Sequence, residues 1–177
     1  MKLSLVVAVL CLVLLPAASF GQGEPGWNKH SLGANFELSI PMGDFADFLA
    51  GTGYGGNVKY QFGADSRGVF TATAGYLSWS KKDLGAGTSV QPAAFNVFLG
   101  GKYYVTDGFY ASLEGGLYFV NYTYEGVVVG AEGNTTRFML PIGVGFQKSG
   151  FEIGARYMLL DVDFNSFSFT LGYNFAL

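Results

Sequence analysis

The chain has 177 residues and a formal net charge of −3, with 13% charged residues, 17% aromatic residues and 27 glycines. A soluble domain carries about 25% charged residues, so something other than charge must keep this surface compatible with its solvent. Lysine and arginine are scattered and form no basic patch, which argues against nucleic acid as a partner.

The first predicted element lies in MKLSLVVAVLCLVLLPAASFGQ, where Lys2 precedes an apolar run over 3–15 that ends at Pro16 and a group of small residues. That pattern predicts a signal peptide over 1–21, cleaved near 19–21, because a spanning helix needs about 20 apolar residues. Cleavage removes the sole cysteine, Cys11, and Leu10 before it does not suit a lipoprotein signal. Disulfides, thiol catalysis and cysteine metal sites are therefore excluded from the expected domain at 22–177. No later segment has the unbroken apolar length of a membrane helix, so a mature chain living in lipid would have to be a closed barrel, in which every backbone polar group is paired between strands.

From residue 31 onward the sequence reads as eight stretches of period 2 separated by turn signals. The first sets Leu32, Ala34, Phe36, Leu38 and Ile40 against Asn35, Glu37 and Ser39. The second sets Tyr54, Val58, Tyr60 and Phe62 against Asn57, Lys59 and Gln61. In the third, over 69–80, the faces Phe70/Ala72/Ala74/Tyr76 and Thr71/Thr73/Leu77/Trp79 are nearly matched, and the pattern does not choose between them. The fourth, over 93–105, opposes Phe95, Val97, Leu99, Tyr103 and Val105 to Asn96, Lys102 and Tyr104. The fifth starts at Phe109 and opposes Leu113, Leu117 and Phe119 to Ser112, Glu114 and Tyr118. The sixth alternates Phe138, Leu140, Ile142, Val144 and Phe146 with Arg137, Met139, Gly143 and Gln147, and the seventh Phe151, Ile153, Ala155 and Tyr157 with Glu152, Gly154 and Arg156. In the eighth, SFSFTLGYNFAL, the alternation is unbroken from Ser166 to Leu177.

The connections at 64–68, 106–108 and 148–150 are short, and those at 41–51, 81–92 and 124–136 are long, the fourth outer loop at about 161–165 being the exception in its shortness. Membrane barrels have short periplasmic turns and longer outer loops, so both termini are expected on the periplasmic side. The polar face decides which face meets lipid. A soluble lipocalin-like barrel would turn a densely charged face outward, whereas this face is mostly small residues with the seven charges Glu37, Lys59, Lys102, Glu114, Arg137, Glu152 and Arg156. Those seven are expected to form a paired luminal network, because isolated buried charges are costly. Glu114 is expected to meet Lys102 through a register pairing Asp107 with Phe109, and Gly143 to lie opposite Arg156 through a two-residue turn at Ser149-Gly150. Phe62, Phe70, Tyr103, Phe109, Phe146, Phe151, Tyr173 and Phe175, all near short turns or the C terminus, would form a periplasmic aromatic girdle.

With its signal peptide, eight strands, the first loop SIPMGDFADFLAGTGYGG and the C-terminal LGYNFAL, the chain resembles the OmpX/OmpA-type outer-membrane β-barrel family over 31–177. The resemblance implies an all-β, eight-stranded antiparallel up-and-down transmembrane barrel in a bacterial outer membrane. It implies as partners the membrane's lipids and lipopolysaccharide and the barrel-assembly machinery, and a monomeric state. The family usually ends in an aromatic residue read by that machinery, whereas this chain ends in Leu177 with Phe175 two places earlier on the same face. No counterpart of the peptidoglycan-binding domain that follows the OmpA barrel is expected.

Chemistry-bearing patterns are few. Gly51, Gly53 and Gly56 satisfy a dinucleotide fingerprint, but a strand rather than a helix follows, so they read as glycines at a strand start. His30, the only histidine, is placed at the periplasmic mouth, away from where a lipid-deacylating triad would need it. The sequons at Asn121 and Asn134 read as chance matches, and Asp44, Asp47, Asp161 and Asp163 as solvated loop residues without calcium-loop spacing. Val127, Val128 and Val129 could extend a hairpin beyond the membrane as a partner contact. No cofactor or metal is expected, and no nucleophile, base and oxyanion set can be assembled. The expected function is non-enzymatic, a structural, envelope-integrity or surface-interaction role with a filled lumen. The alternative is a narrow channel or small-ligand carrier of the OmpW-like porin kind, and a lipid-modifying enzyme ranks third.

Overall fold

The structure, a computed structural model, describes residues 30–63, 67–126, 132–159 and 165–177. The expected signal peptide and Val127, Val128 and Val129 lie outside the described residues, as do Asp161 and Asp163. Among the described residues nine strands follow in order: β1 His30–Pro41, β2 Gly53–Gly63, β3 Gly68–Trp79, β4 Lys82–Gly85, β5 Thr88–Tyr104, β6 Phe109–Glu125, β7 Glu132–Lys148, β8 Phe151–Leu159 and β9 Ser166–Ala176. All pairings are antiparallel, β1 pairs with both β2 and β9, and β3 pairs with β5. Eight strands thus close into a barrel, and β4 is a short addition beside β5.

Closure follows from the alternation, since each period-2 strand offers one apolar and one polar face and a ring leaves no unpaired edge. Outside lie Phe36, Tyr76, Phe95, Leu99, Leu113, Phe138, Val144, Ile153 and Leu171, all exposed. Inside lie Asn35, Glu37, Asn57, Lys59, Asn96, Lys102, Glu114, Glu152 and Arg156, all buried. A soluble barrel has the opposite arrangement, and a continuous apolar exterior of this kind is stable against lipid. For β3 the ambiguity resolves with Thr71, Thr73, Leu77 and Trp79 inward and Phe70 and Tyr76 outward.

The aromatic residues near the short turns pack as pairs. Phe109 meets Phe146 with ring centroids 4.9 Å apart, Phe151 meets Tyr173 at 5.0 Å, and Phe62 pairs in register with Phe70. His30 is exposed beside them, sharing a hydrogen bond with the Tyr60 hydroxyl and lying 5.0 Å from the Phe62 ring. Lys148 faces Phe151 across Ser149 and Gly150, whose φ angles of 50° and 85° give the left-handed two-residue turn that suits strand twist. This register sets Gly143 opposite Arg156, as the turn length predicts.

Three expectations need correction. Glu114 faces Gly100, and Lys102 faces Ser112. A reversal about Gly108 alone is too short to span neighbouring strands. The Val105 amide instead donates to the Phe109 carbonyl at 2.9 Å, and the Phe109 amide donates to Thr106 Oγ1 at 3.2 Å, leaving three residues in the turn. The segment expected as a loop at 81–92 is a hairpin, with Lys82 opposite Val90 and a tip at Ala86 and Gly87 in left-handed conformations. The loop expected at 124–136 is shorter, because β6 and β7 remain in register out to Thr123 and Glu132. One gap interrupts that ladder: Leu113 pairs with Ile142 and Gly116 with Met139, with no pairing between them, since Pro141 has no amide to donate.

Candidate functional site

The lumen is layered. From the short-turn end to mid-barrel it is lined by polar and charged side chains, and toward the long-loop end by apolar ones. Glu152, at the start of β8 and 1% exposed, is the centre of the polar layer. Its Oε1 accepts from Lys59 Nζ at 2.9 Å and the Tyr110 hydroxyl at 2.8 Å. Its Oε2 accepts from Lys102 Nζ at 2.8 Å and Asn174 Nδ2 at 2.8 Å. Lys102 also donates to Gln61 Oε1 at 3.2 Å and Gln147 Oε1 at 3.1 Å, and its ammonium lies 4.4 Å from the Tyr110 ring centroid. Tyr104 donates to the same Gln147 oxygen at 2.8 Å.

Higher in the barrel Arg156 bridges two carboxylates. Nη2 pairs with Glu37 Oε2 and Nη1 reaches Glu114 Oε2 at 3.4 Å. Thr71 and Thr73 donate to Glu114 Oε1 at 2.9 and 3.0 Å, and Asn57 donates to Glu37 at 3.1 Å. Six of the seven charges singled out from the sequence are joined by these contacts. Arg137 lies on the same inner face, half-buried and opposite Tyr118 in the β6–β7 register. Glu114 and Lys102 share the interior, but their partners are Arg156 and Glu152 respectively.

The glycines make room for this filling. A Cβ at Gly154 would come within 3.0 Å of the Tyr110 hydroxyl, and one at Gly143 within 3.1 Å of Arg156 Cβ. What remains between Lys59, Lys102, Tyr110, Glu114 and Arg156 is a cavity of about 20 Å³, room for about one water molecule.

The loop-end layer was not legible in the sequence. Residues Phe45–Leu49 form a single π-helical turn between β1 and β2, and it places Phe45 inside the barrel mouth with no exposed surface. Phe45 meets Trp79 edge-on at 5.3 Å, and Trp79 Nε1 donates to Ser39 Oγ at 3.3 Å. Leu77, Val90, Phe98, Val120, Met139 and Met158 belong to the same cluster. The inward parity of Met139 and Met158 was readable, but the facing of Trp79 on the ambiguous third strand and the folding of a loop residue into the mouth were not. Among the described residues no group of three or more His, Cys, Asp or Glu side chains is placed to hold a metal ion.

The chain matches no family model and no curated protein. Solved structures do match it. The Ail attachment invasion locus protein of Yersinia pestis, crystallised with the heparin analogue sucrose octasulfate, superposes with a TM-score of 0.61 at 14% identity, over 84% of this chain and 99% of that one. The chain has the fold of the eight-stranded outer-membrane barrels. Neisserial surface protein A matches at a TM-score of 0.52 and 10% identity, over 84% of this chain and 97% of that one. The outer-membrane protein OprG of Pseudomonas aeruginosa matches at 0.51 and 12%, over 88% and 98%. This outer-membrane barrel fold accounts for the apolar exterior, the paired ring of strands and the difference in length between the two sets of connections.

Proposed function

We propose that the chain works in a bacterial outer membrane as a monomeric, non-enzymatic barrel with a structural or surface-interaction role, its termini periplasmic and its long loops outward. The observation that carries this reading is the filled lumen. Glu152 is satisfied by four donors, Arg156 spans two carboxylates, and Phe45 closes the loop end. Nothing in that network resembles an activated nucleophile, because every carboxylate in it faces a cation. The barrel-assembly machinery inserts the chain, and lipid and lipopolysaccharide surround the apolar belt.

The outward segments narrow the class of surface partner. Among the described residues they carry Asp44, Asp47, Asp83 and Glu125 against Lys81 and Lys82. Lys81 is paired with Glu125 and Lys82 donates to the Ala46 carbonyl. Ail was crystallised with a sulfated sugar; this acidic surface repels such polyanions and favours neutral or cationic partners. The test is planar-bilayer recording together with heparin-column retention of the refolded barrel. No stable conductance and no retention are expected. A stable conductance would instead support the narrow-channel alternative, and retention on heparin would overturn the charge argument.

A further inference from the structure

We propose that the loop end of the lumen is a binding pocket for a small uncharged aromatic molecule, held closed in this structure by the chain's own Phe45. The pocket goes beyond the structural role and rests on the lumen below it being filled.

The present occupant defines the chemistry. A benzyl group sits edge-on against the Trp79 indole at 5.3 Å, within a wall that includes Leu77, Val90, Phe98, Met139 and Met158. Binding sites for apolar ligands are lined in this way, by aromatic and aliphatic side chains with few polar groups, and methionine adapts readily to a new shape. The floor is the Phe98 ring, 5.4 Å from Tyr118, with the Arg156 guanidinium 5.8 Å from it. That guanidinium is already engaged by Glu37 and Glu114, so no free charge calls for an ionic ligand. The charge network below closes the way to the short-turn end, which makes this a pocket entered from the loop end.

Phe45, with Ala50 on the same segment, differs from the rest of the cluster because it is not on a barrel strand. Its turn is closed by internal bonds, Asp47 amide to Gly43 carbonyl at 3.0 Å and Ala50 amide to Phe45 carbonyl at 2.9 Å, which would move with it. The flanks are joined to the barrel where Met42 donates to Asn165 and Gly51 donates to Ser80. Between those points Lys82 Nζ holds the turn through the Ala46 carbonyl at 2.9 Å. Gly43, at φ 58°, supplies a left-handed residue at the start of the turn. Withdrawing the ring therefore breaks no bond of the barrel ladder. Phe48, three residues on, is exposed, so the turn presents one ring inward and one outward.

The chain has two tryptophans, and Trp27→Phe leaves Trp79 as the sole reporter. With that barrel in nanodiscs, 4-bromobenzyl alcohol should quench Trp79 along a saturating curve that unbrominated benzyl alcohol reverses. Phe45→Ala should lower the half-saturating concentration roughly tenfold, because the probe no longer has to displace a resident ring. Lys82→Met lies outside the pocket and tests the same idea without altering the cluster; loosening the turn should lower that concentration roughly threefold. Quenching that rises linearly with the probe and is unchanged by benzyl alcohol would overturn the proposal. Saturation confined to Phe45→Ala would overturn it as well, since it would show a cavity made by the substitution.

Discussion

Replacing Glu152 with glutamine tests whether the luminal charges hold the barrel together. The carboxylate receives Lys59, Lys102, Tyr110 and Asn174 at 2.8–2.9 Å and is almost wholly buried. Glutamine keeps the size but removes the charge, and its amide nitrogen points donors at donors. Lys59 and Lys102 are then left as buried cations without their shared counter-ion. Removing one partner from a buried pair costs about 3–5 kcal/mol. The control is Glu125→Gln at the exposed pair with Lys81, where the expected loss is below about 1 kcal/mol. Urea titration in lipid vesicles, read by the gel mobility of unheated samples, gives both values if unfolding is reversible and two-state. Adding Lys102→Met to Glu152→Gln should recover about 1–2 kcal/mol, since it removes an orphaned cation. A Glu152→Gln loss no larger than that of Glu125→Gln, or strict additivity in the double variant, would refute the reasoning.

Three further expectations follow from the geometry. Gly143→Val places a branched side chain against Arg156 and the Ala155 carbonyl, 2.8 Å from the built Cβ, and should destabilise the barrel by about 1–3 kcal/mol in the same titration. Ser149→Gly removes a non-glycine residue at φ 50° from the β7–β8 turn and should raise stability by about 1 kcal/mol. Leu99→Lys, on the apolar belt, should cost about 2–4 kcal/mol in vesicles, whereas Phe151→Lys, beside a short turn, should cost about 0–1 kcal/mol. Equal costs at the two positions would deny that the belt spans lipid.

The strands were legible because their side chains obey period 2, and inner parity alone placed Glu37, Lys59, Lys102, Glu114, Glu152 and Arg156 in the lumen. Gly143 opposite Arg156 was legible too, because a two-residue turn fixes register. The Lys102–Glu114 pairing failed at the neighbouring turn, since TDG permits more than one reversal and the Thr106 side chain selects the three-residue form. Even a correct register would not have given the partners. Lys102 on β5 reaches Glu152 on β8, strands that are not neighbours in the sheet. Period 2 says which face a residue occupies but not what it meets across a lumen. Phe45 escaped for a related reason, because in GDFADFL both phenylalanines look alike and only the Trp79 mouth, contributed from β3, distinguishes the buried ring from the exposed one.

That cross-lumen geometry bears on how the barrel forms. The ladder neighbours of β8 are β7 and β9, yet its Glu152 pairs with β2 and β5 and its Arg156 with β1 and β6. A partly assembled sheet can form ladder hydrogen bonds strand by strand, but it cannot satisfy these ions until opposite walls approach. In lipid, the open intermediate would present three cations and three carboxylates to hydrocarbon, each costly when unpaired. Closure removes all of these penalties together, because the six charges balance within the described network. The same charged residues that fill the lumen therefore also disfavour the half-closed barrel, which couples their pairing to all-or-none assembly.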